Sequence, residues 1–272
     1  MKRFGRQLRT ALPWVLVGTL TTSVTLLTLA PVAWFAPAVA HATQGRARLI
    51  DSAGSLWNGS ATLALTPGTD PEGATLLPGR IEWHTAFWPL FIGHLRVRLH
   101  QTEAMPADVL LDAGFGGGTL SAGRATLPAS LLAGLGAPFN TLDLQAEVDA
   151  NWSEWRWYAR DGAQTSYGRA DLAVRDAVSR VSAVRPLGSY HVAVQAEGTH
   201  TTLDLDTVKG PLMLDGHGDF SPAGGGAGHG FSFSGRASVA PDQRDNLAGL
   251  LNLLGTGTGD GSVRLHLGSG ML

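Results

Sequence analysis

The chain has 272 residues, 15% of them charged and 44% apolar, with a formal net charge of −2 and no cysteine. Thiol catalysis, disulfide cross-links and zinc–thiolate sites are thereby excluded. Lys2, Arg3, Arg6 and Arg9 hold the positive charge of the first ten residues, and beyond them 16 basic residues (20 less 4) stand against 22 acidic ones, a poor balance for binding phosphates and hence nucleic acid.

No Asp, Glu, Lys or Arg occurs between Arg9 and Arg46. Within that gap Ala11 to Leu29 is almost continuously apolar, matching the ~20 residues that a helix needs to cross a bilayer core. The Thr and Ser hydroxyls in the run are tolerable because they bond back to carbonyls one turn earlier. Four preceding positive charges put the N-terminus in the cytoplasm by the positive-inside rule. The expectation is a cytoplasmic stretch over 1–10, a single-pass transmembrane anchor over 11–35, and the bulk of the chain on the far side. Pro31 to Phe35 then sits at the outer interface, where aromatic rings straddle lipid and water. The alternative is a cleaved signal peptide, for which Ala40-His41-Ala42 supplies a small-x-small site. The run is longer than the usual ~7–15 residue signal core, which favours the anchor.

From Gly45 onward the pattern has period two. Arg46 to Ile50, Ser60 to Leu65 and Gly79 to His84 lead into His94 to His100, where Leu95, Val97 and Leu99 alternate with His94, Arg96, Arg98 and His100. Leu142 to Val148, His191 to Ala196, Phe231 to Phe233 and Val263 to Leu267 read the same way, as half-buried strands. Glycine, at 36 residues, is about twice its usual ~7% share and points to many tight turns.

Two short helices are expected. Pro128 to Leu135 has a proline suited to the first turn and Gly136 as a stop. Asp242 to Leu254 places Leu247, Leu250, Leu251 and Leu254 at helical spacing, with Gly255 as its end. Gly123-Arg124-Ala125 ahead of the first helix and Gly235-Arg236-Ala237 ahead of the second suggest an internal repeat. The fold class is therefore mostly β: an N-terminal transmembrane helix, then a curved antiparallel sheet with two similar halves, 43–140 and 141–272, and two short helices. Chance similarity in a Gly/Ala/Leu-rich chain remains the alternative to the repeat.

Little in the chain suggests catalysis. There is no Gly-x-Ser-x-Gly elbow, and no histidines stand at His-x-x-x-His or His-Glu-x-x-His spacing. Gly114 to Gly118 lacks the Lys-Ser/Thr of a phosphate loop, and it reads, like Ser221 to Gly230, as a hairpin tip. His94 and His100 read as solvated, and His217-Gly218-Asp219 as turn-like. No catalytic, cofactor or metal residue is expected. The tryptophans say more: Trp57, Trp83, Trp88, Trp152, Trp155 and Trp157 either pack the core or form a docking patch, since Trp and Arg dominate interface hot spots.

Five segments in order carry a resemblance. They are Gly54-Ser55-Leu56-Trp57-Asn58-Gly59-Ser60-Ala61; Leu77 to Trp83 followed by Phe91-Ile92-Gly93; Leu127-Pro128-Ala129 with Leu135 to Leu142; Arg185 to Tyr190; and Gly210 to Gly216 completed by Leu250 to Gly255. Behind an N-terminal anchor, the set resembles the N component of the type II secretion system, the general secretory pathway protein N family. The resemblance implies a bitopic inner-membrane protein with a periplasmic domain, accessory to the export of folded proteins and without catalytic residues. It implies other inner-membrane and secretin-associated components as partners. A lipid-contacting β-groove is the competing reading. Gly54, Trp57 and Gly59 are expected to shape the first turn, Pro138 and Asn140 the turn between the halves, and Trp83, Trp88, Trp155 and Trp157 are the interaction candidates.

Overall fold

A computed structural model describes residues 17–18, 21, 25, 29–43, 45, 47–66, 74–130, 143–160, 163–221, 230–257 and 262–268. Its strands are β1 (Ala47–Gly54), β2 (Asn58–Leu65), β3 (Thr75–Leu76), β4 (Ile81–Ala86), β5 (His94–His100), β6 (Val109–Gly114), β7 (Gly117–Leu120), β8 (Gly123–Pro128) and β9 (Leu144–Trp152). They continue with β10 (Trp155–Arg160), β11 (Ala163–Ser179), β12 (Gly188–Gly198), β13 (His200–Lys209), β14 (Leu212–Ser221), β15 (Gly230–Val239), β16 (Thr256–Gly257) and β17 (Val263–Gly268). Two α-helices are described, α1 (Ala36–Ala42) and α2 (Arg244–Leu254).

All the strands belong to one antiparallel sheet. Most pair with a neighbour in sequence, giving a meander: β1 with β2, β2 with β3 and β4, then β4–β5, β5–β6 and β6–β7. β7 and β8 lie end to end along one side of β9 and β10, and the 17-residue β11 runs along the other. The order then continues β11–β12–β13–β14–β15–β17, with β16 outside β17. The pairing of β8 with β9 carries the sheet past residues 131–142.

Register and alternation fix two faces of opposite chemistry. Leu49, Leu63, Trp83, Leu99, Val109, Ala125, Ala150, Leu172, Val192, Leu205, Gly216 and Gly235 follow one another on one face. The opposite face carries Glu82, Arg98, Asp112, Asn151, Asp171, His191, Asp204, His217 and Arg236. There the charges pair across strands: Arg96 Nε and Nη2 donate to Asp112 Oδ2 at 2.8 and 2.7 Å, His100 meets Asp108 at 2.8 Å, and Lys209 meets Asp176 at 2.9 Å. Such exposed pairs are screened by solvent, so they set register more than stability.

Register shifts bend the meander, one of them between Ser189 and Tyr190 where β12 meets β13. Registers also slip between Ile50 and Ala53 in β1 and between Val174 and Ala177 in β11, and in each of these two an aspartate takes a left-handed conformation: Asp51 at φ 49° and Asp176 at φ 45°. A bulge adds a residue on one strand and raises the local twist. Asp51 pairs with Arg80, while the Asp176 N–H donates to the Ser189 hydroxyl at 2.9 Å.

The best-buried core lies at the C-terminal end. Leu247, Leu250 and Leu251 of α2 pack with Leu212, Phe233, Ala237, Val239, Val263 and Leu265. The leucine spacing thus made the helix, although its first turn, Pro241–Gln243, is 3-10 and the α-helix begins at Arg244.

Some expectations need correction. His217-Gly218-Asp219 is no turn but the middle of β14, because Gly218 keeps the alternation and occupies a buried place on the apolar face. Pro128 closes β8 rather than opening a helix: it pairs with Glu147, and a 3-10 turn follows at Ala129 and Ser130. Residues 131–135 of that expected helix, and Pro138 and Asn140, lie outside the described residues. Of the apolar run, Val17, Gly18, Thr21 and Thr25 are helical, and the Thr21 hydroxyl donates back to the Val17 carbonyl at 2.7 Å. Among the described residues no helix is long and apolar enough to cross a membrane.

Candidate interaction surface

The tryptophans fall into two groups. Trp83, Trp152, Trp155 and Trp157 are half-buried on the apolar face, each laid flat over a glycine of the adjacent strand. A Cβ added to Gly59 would lie 2.4 Å from the Trp83 ring, one on Gly123 2.4 Å from Trp152, one on Gly168 2.4 Å from Trp155, and one on Gly118 2.3 Å from Trp157. Phe233 covers Gly216 in the same way, again at 2.4 Å. The rings replace the missing side chains, so the apolar face is paved by aromatic planes. Two indole N–H groups are satisfied at strand ends, Trp83 by the Leu56 carbonyl (3.2 Å) and Trp152 by the Ser121 carbonyl (2.9 Å).

The second group gathers at the end of the sheet where β1 turns into β2. Gly54 (φ +87°) closes β1, and a Cβ there would meet the Asn58 carbonyl at 2.4 Å, so the turn requires glycine. The Ser55 hydroxyl accepts from the Trp57 and Asn58 N–H groups at 3.3 and 3.2 Å. Leu56 joins three segments: its N–H donates to the Ala30 carbonyl (3.0 Å), and its carbonyl accepts from the Trp83 indole and from the Thr85 hydroxyl (2.9 Å). Pro31 bridges Ser55, and Ala30 and Val32 are buried.

Trp57 packs edge-on against Phe87 at 4.9 Å, and Phe87 against Phe91 at 5.2 Å. The loop continues as a 3-10 turn, Trp88–Ile92, in which Trp88, Phe91 and Ile92 are exposed at 79%, 68% and 78%. The sequence signal for this loop is the uncharged run Ala86 to Ile92 where a polar turn is usual. The structure therefore brings Gly54, Trp57, Gly59, Trp83 and Trp88 together and puts Trp155 and Trp157 farther along the apolar face.

On the polar face, His84, Arg98 and His100 line a shallow depression with Asn58, Ser60 and Glu82. Among the described residues no three His, Asp or Glu side chains converge as a metal site. His217 stands on β14 between Asp204 and Asp219. Its hydrogen bond with Asp204 at 2.6 Å, helped by Asp219, raises its pKa above the ordinary value. The charged pair therefore stabilises the fold below the unfolded-state pKa, and that contribution disappears as pH rises through the raised folded value. Titration by NMR is expected to give His217 a raised pKa that Asp204→Asn returns toward ordinary; an unshifted wild-type imidazole would contradict the geometry. Asp112 is held below the usual carboxylate range by Arg96 and His94, and burial pushes the Tyr190 phenol well up, so it stays a donor to the Leu212 carbonyl.

Residues 45–266 match the profile of the family described as type II secretion system (T2SS), protein N. The chain belongs to the type II secretion system protein N family. The match covers the whole sheet from β1 into β17 and makes the chain a secretion-system component rather than a member of an enzyme family. No curated protein and no solved structure matches the chain.

Proposed function

We propose that this T2SS protein N is a non-catalytic docking component of the secretion machine. The apolar run Ala11 to Leu29 of the expected 11–35 segment anchors it by a single pass in the inner membrane, and Ala30 to Phe35 lead into the sheet domain; the N-terminus is cytoplasmic, and the sheet stands in the periplasm. There it contacts inner-membrane and secretin-associated components during export of folded proteins. The observation that carries this reading is that the meander does not close among the described residues: β1 pairs with β2 alone, and β17 has only the two-residue β16 on its outer side. An open edge with an anchor that concentrates it near membrane-bound partners suits strand addition by another chain. Deletion of the coding region is expected to reduce export of the system's substrates, with recovery on complementation; unchanged export of every substrate would refute the role.

One observation favours a second reading, contact with lipid. Val97, Leu99, Leu111, Trp155, Trp157, Leu172, Val192 and Val194 are only half-buried on the apolar face, while α2 contacts β15, β16 and β17. Lipid retained by the purified chain in native mass spectra would support that reading.

A further inference from the structure

We propose that the end of the sheet carrying Trp88, Phe91, Ile92 and Phe115 rests on the periplasmic surface of the same bilayer that holds the anchor. The proposal builds on the anchored reading above. Register places four connections at this end. Asn58 pairs with His84, so the β1–β2 turn adjoins the β4–β5 loop; His94 pairs with Gly114, so the β6–β7 turn is next; Tyr158 pairs with Gly117, which adds the β10–β11 turn.

The β4–β5 loop and the β6–β7 turn present exposed apolar side chains, backed by the half-buried Trp57 of the β1–β2 turn. Phe115 is 95% exposed at its turn, yet its ring lies over Gly93, where an added Cβ would be 2.6 Å away, which joins it to the Trp88–Ile92 turn. The opposite end exposes Leu76, Val181 and Val208 on three separate connections and strands, and there charge accompanies them: its loops carry Glu103, Asp108, Arg180 and Arg185, and Arg180 pairs with Asp143 at 3.1 Å. Exposed large apolar side chains clustered at one end mark an interaction site.

The position of the N-terminal segment selects the partner. The apolar run Ala11 to Leu29 leads directly into Ala30 and Pro31, which are hydrogen-bonded and bridged to Leu56 and Ser55. Trp57 follows, then Phe87, Phe91 and Trp88 in ring-to-ring contact. The chain thus enters the sheet domain beside the patch, with Trp34 also exposed just after the run. A helix leaving a bilayer at this point holds the patch at headgroup level, where Trp and Phe partition favourably because one side of the ring is wet and the other apolar. The seven-residue run Ala86 to Ile92 has no charge to desolvate.

The absence of cysteine makes the test direct. The full chain is purified as Val17→Cys, Ile92→Cys, Phe115→Cys and Val181→Cys variants, spin-labelled, and reconstituted at high dilution into phosphatidylethanolamine–phosphatidylglycerol vesicles. Collision with dioxygen and with a water-soluble nickel chelate is then compared. The expected result is a lipid-like signature at 92 and 115, at a depth of about 5–10 Å, with an aqueous one at 181. Labels at 92 and 115 as aqueous as 181, with 17 still in lipid, would overturn the resting face and leave the anchor intact. An aqueous label at 17 would remove both. Protection that vanishes on further dilution would mean contact between copies and would equally overturn the proposal.

Discussion

Gly118→Ala is expected to destabilise the sheet by about 1–3 kcal/mol, the usual cost of forcing volume into a filled place. The new methyl would meet the Trp157 ring at 2.3 Å and the Asp112 backbone oxygen at 2.6 Å. The second contact decides the outcome, since a carbonyl paired within the β6–β7 hairpin cannot swing away. At Gly123→Ala the nearest contacts are side chains, Trp152 at 2.4 Å and Val109 at 3.1 Å. The two glycines therefore separate in double-mutant cycles. Removing Trp152 should abolish most of the Gly123→Ala penalty, whereas removing Trp157 should leave much of the Gly118→Ala penalty in place. Denaturant unfolding reads both; a neutral Gly118→Ala would contradict the packing described.

Leu247→Ala should cost about 2–5 kcal/mol, the range for deleting a fully buried leucine. Leu247 is 0% exposed and sits between α2 and the last strands, with Leu250, Leu251 and Val263 in the same cluster. Leu253, on the outer side of the helix and 51% exposed, is the internal control, and its change to alanine should lie within ~0.5 kcal/mol. Equal losses at 247 and 253 would mean that α2 is not packed on this face.

Much of the sheet was legible because its apolar positions alternate. His94 to His100 and Val263 to Leu267 present the apolar side chains at every second place, and both are strands. β14 was hidden because Gly216 and Gly218 occupy places on the apolar face, where the covering ring belongs to Phe233 of the next strand. β11 was hidden likewise, since Gly168 lies beneath Trp155. A hydrophobic pattern read along one strand misses an apolar residue supplied from its neighbour. The same pairing accounts for most of the tryptophans, whose even spacing in Trp155 and Trp157 fits a packing surface as well as a docking one. Trp57 and Trp88 differ because they lie in turns, where ring contacts depend on loops brought together only by register. The open edge at β17 had no sequence signal, for an unpaired backbone looks like a paired one.

The most direct measurement is photocrosslinking in intact cells from a residue placed at His266, exposed on β17 beyond the short reach of β16. The docking account predicts adducts to another secretion component, absent when the same photoreactive residue stands at Gln195 in the middle of the sheet. Adducts to lipid alone, or none above that control, would contradict it.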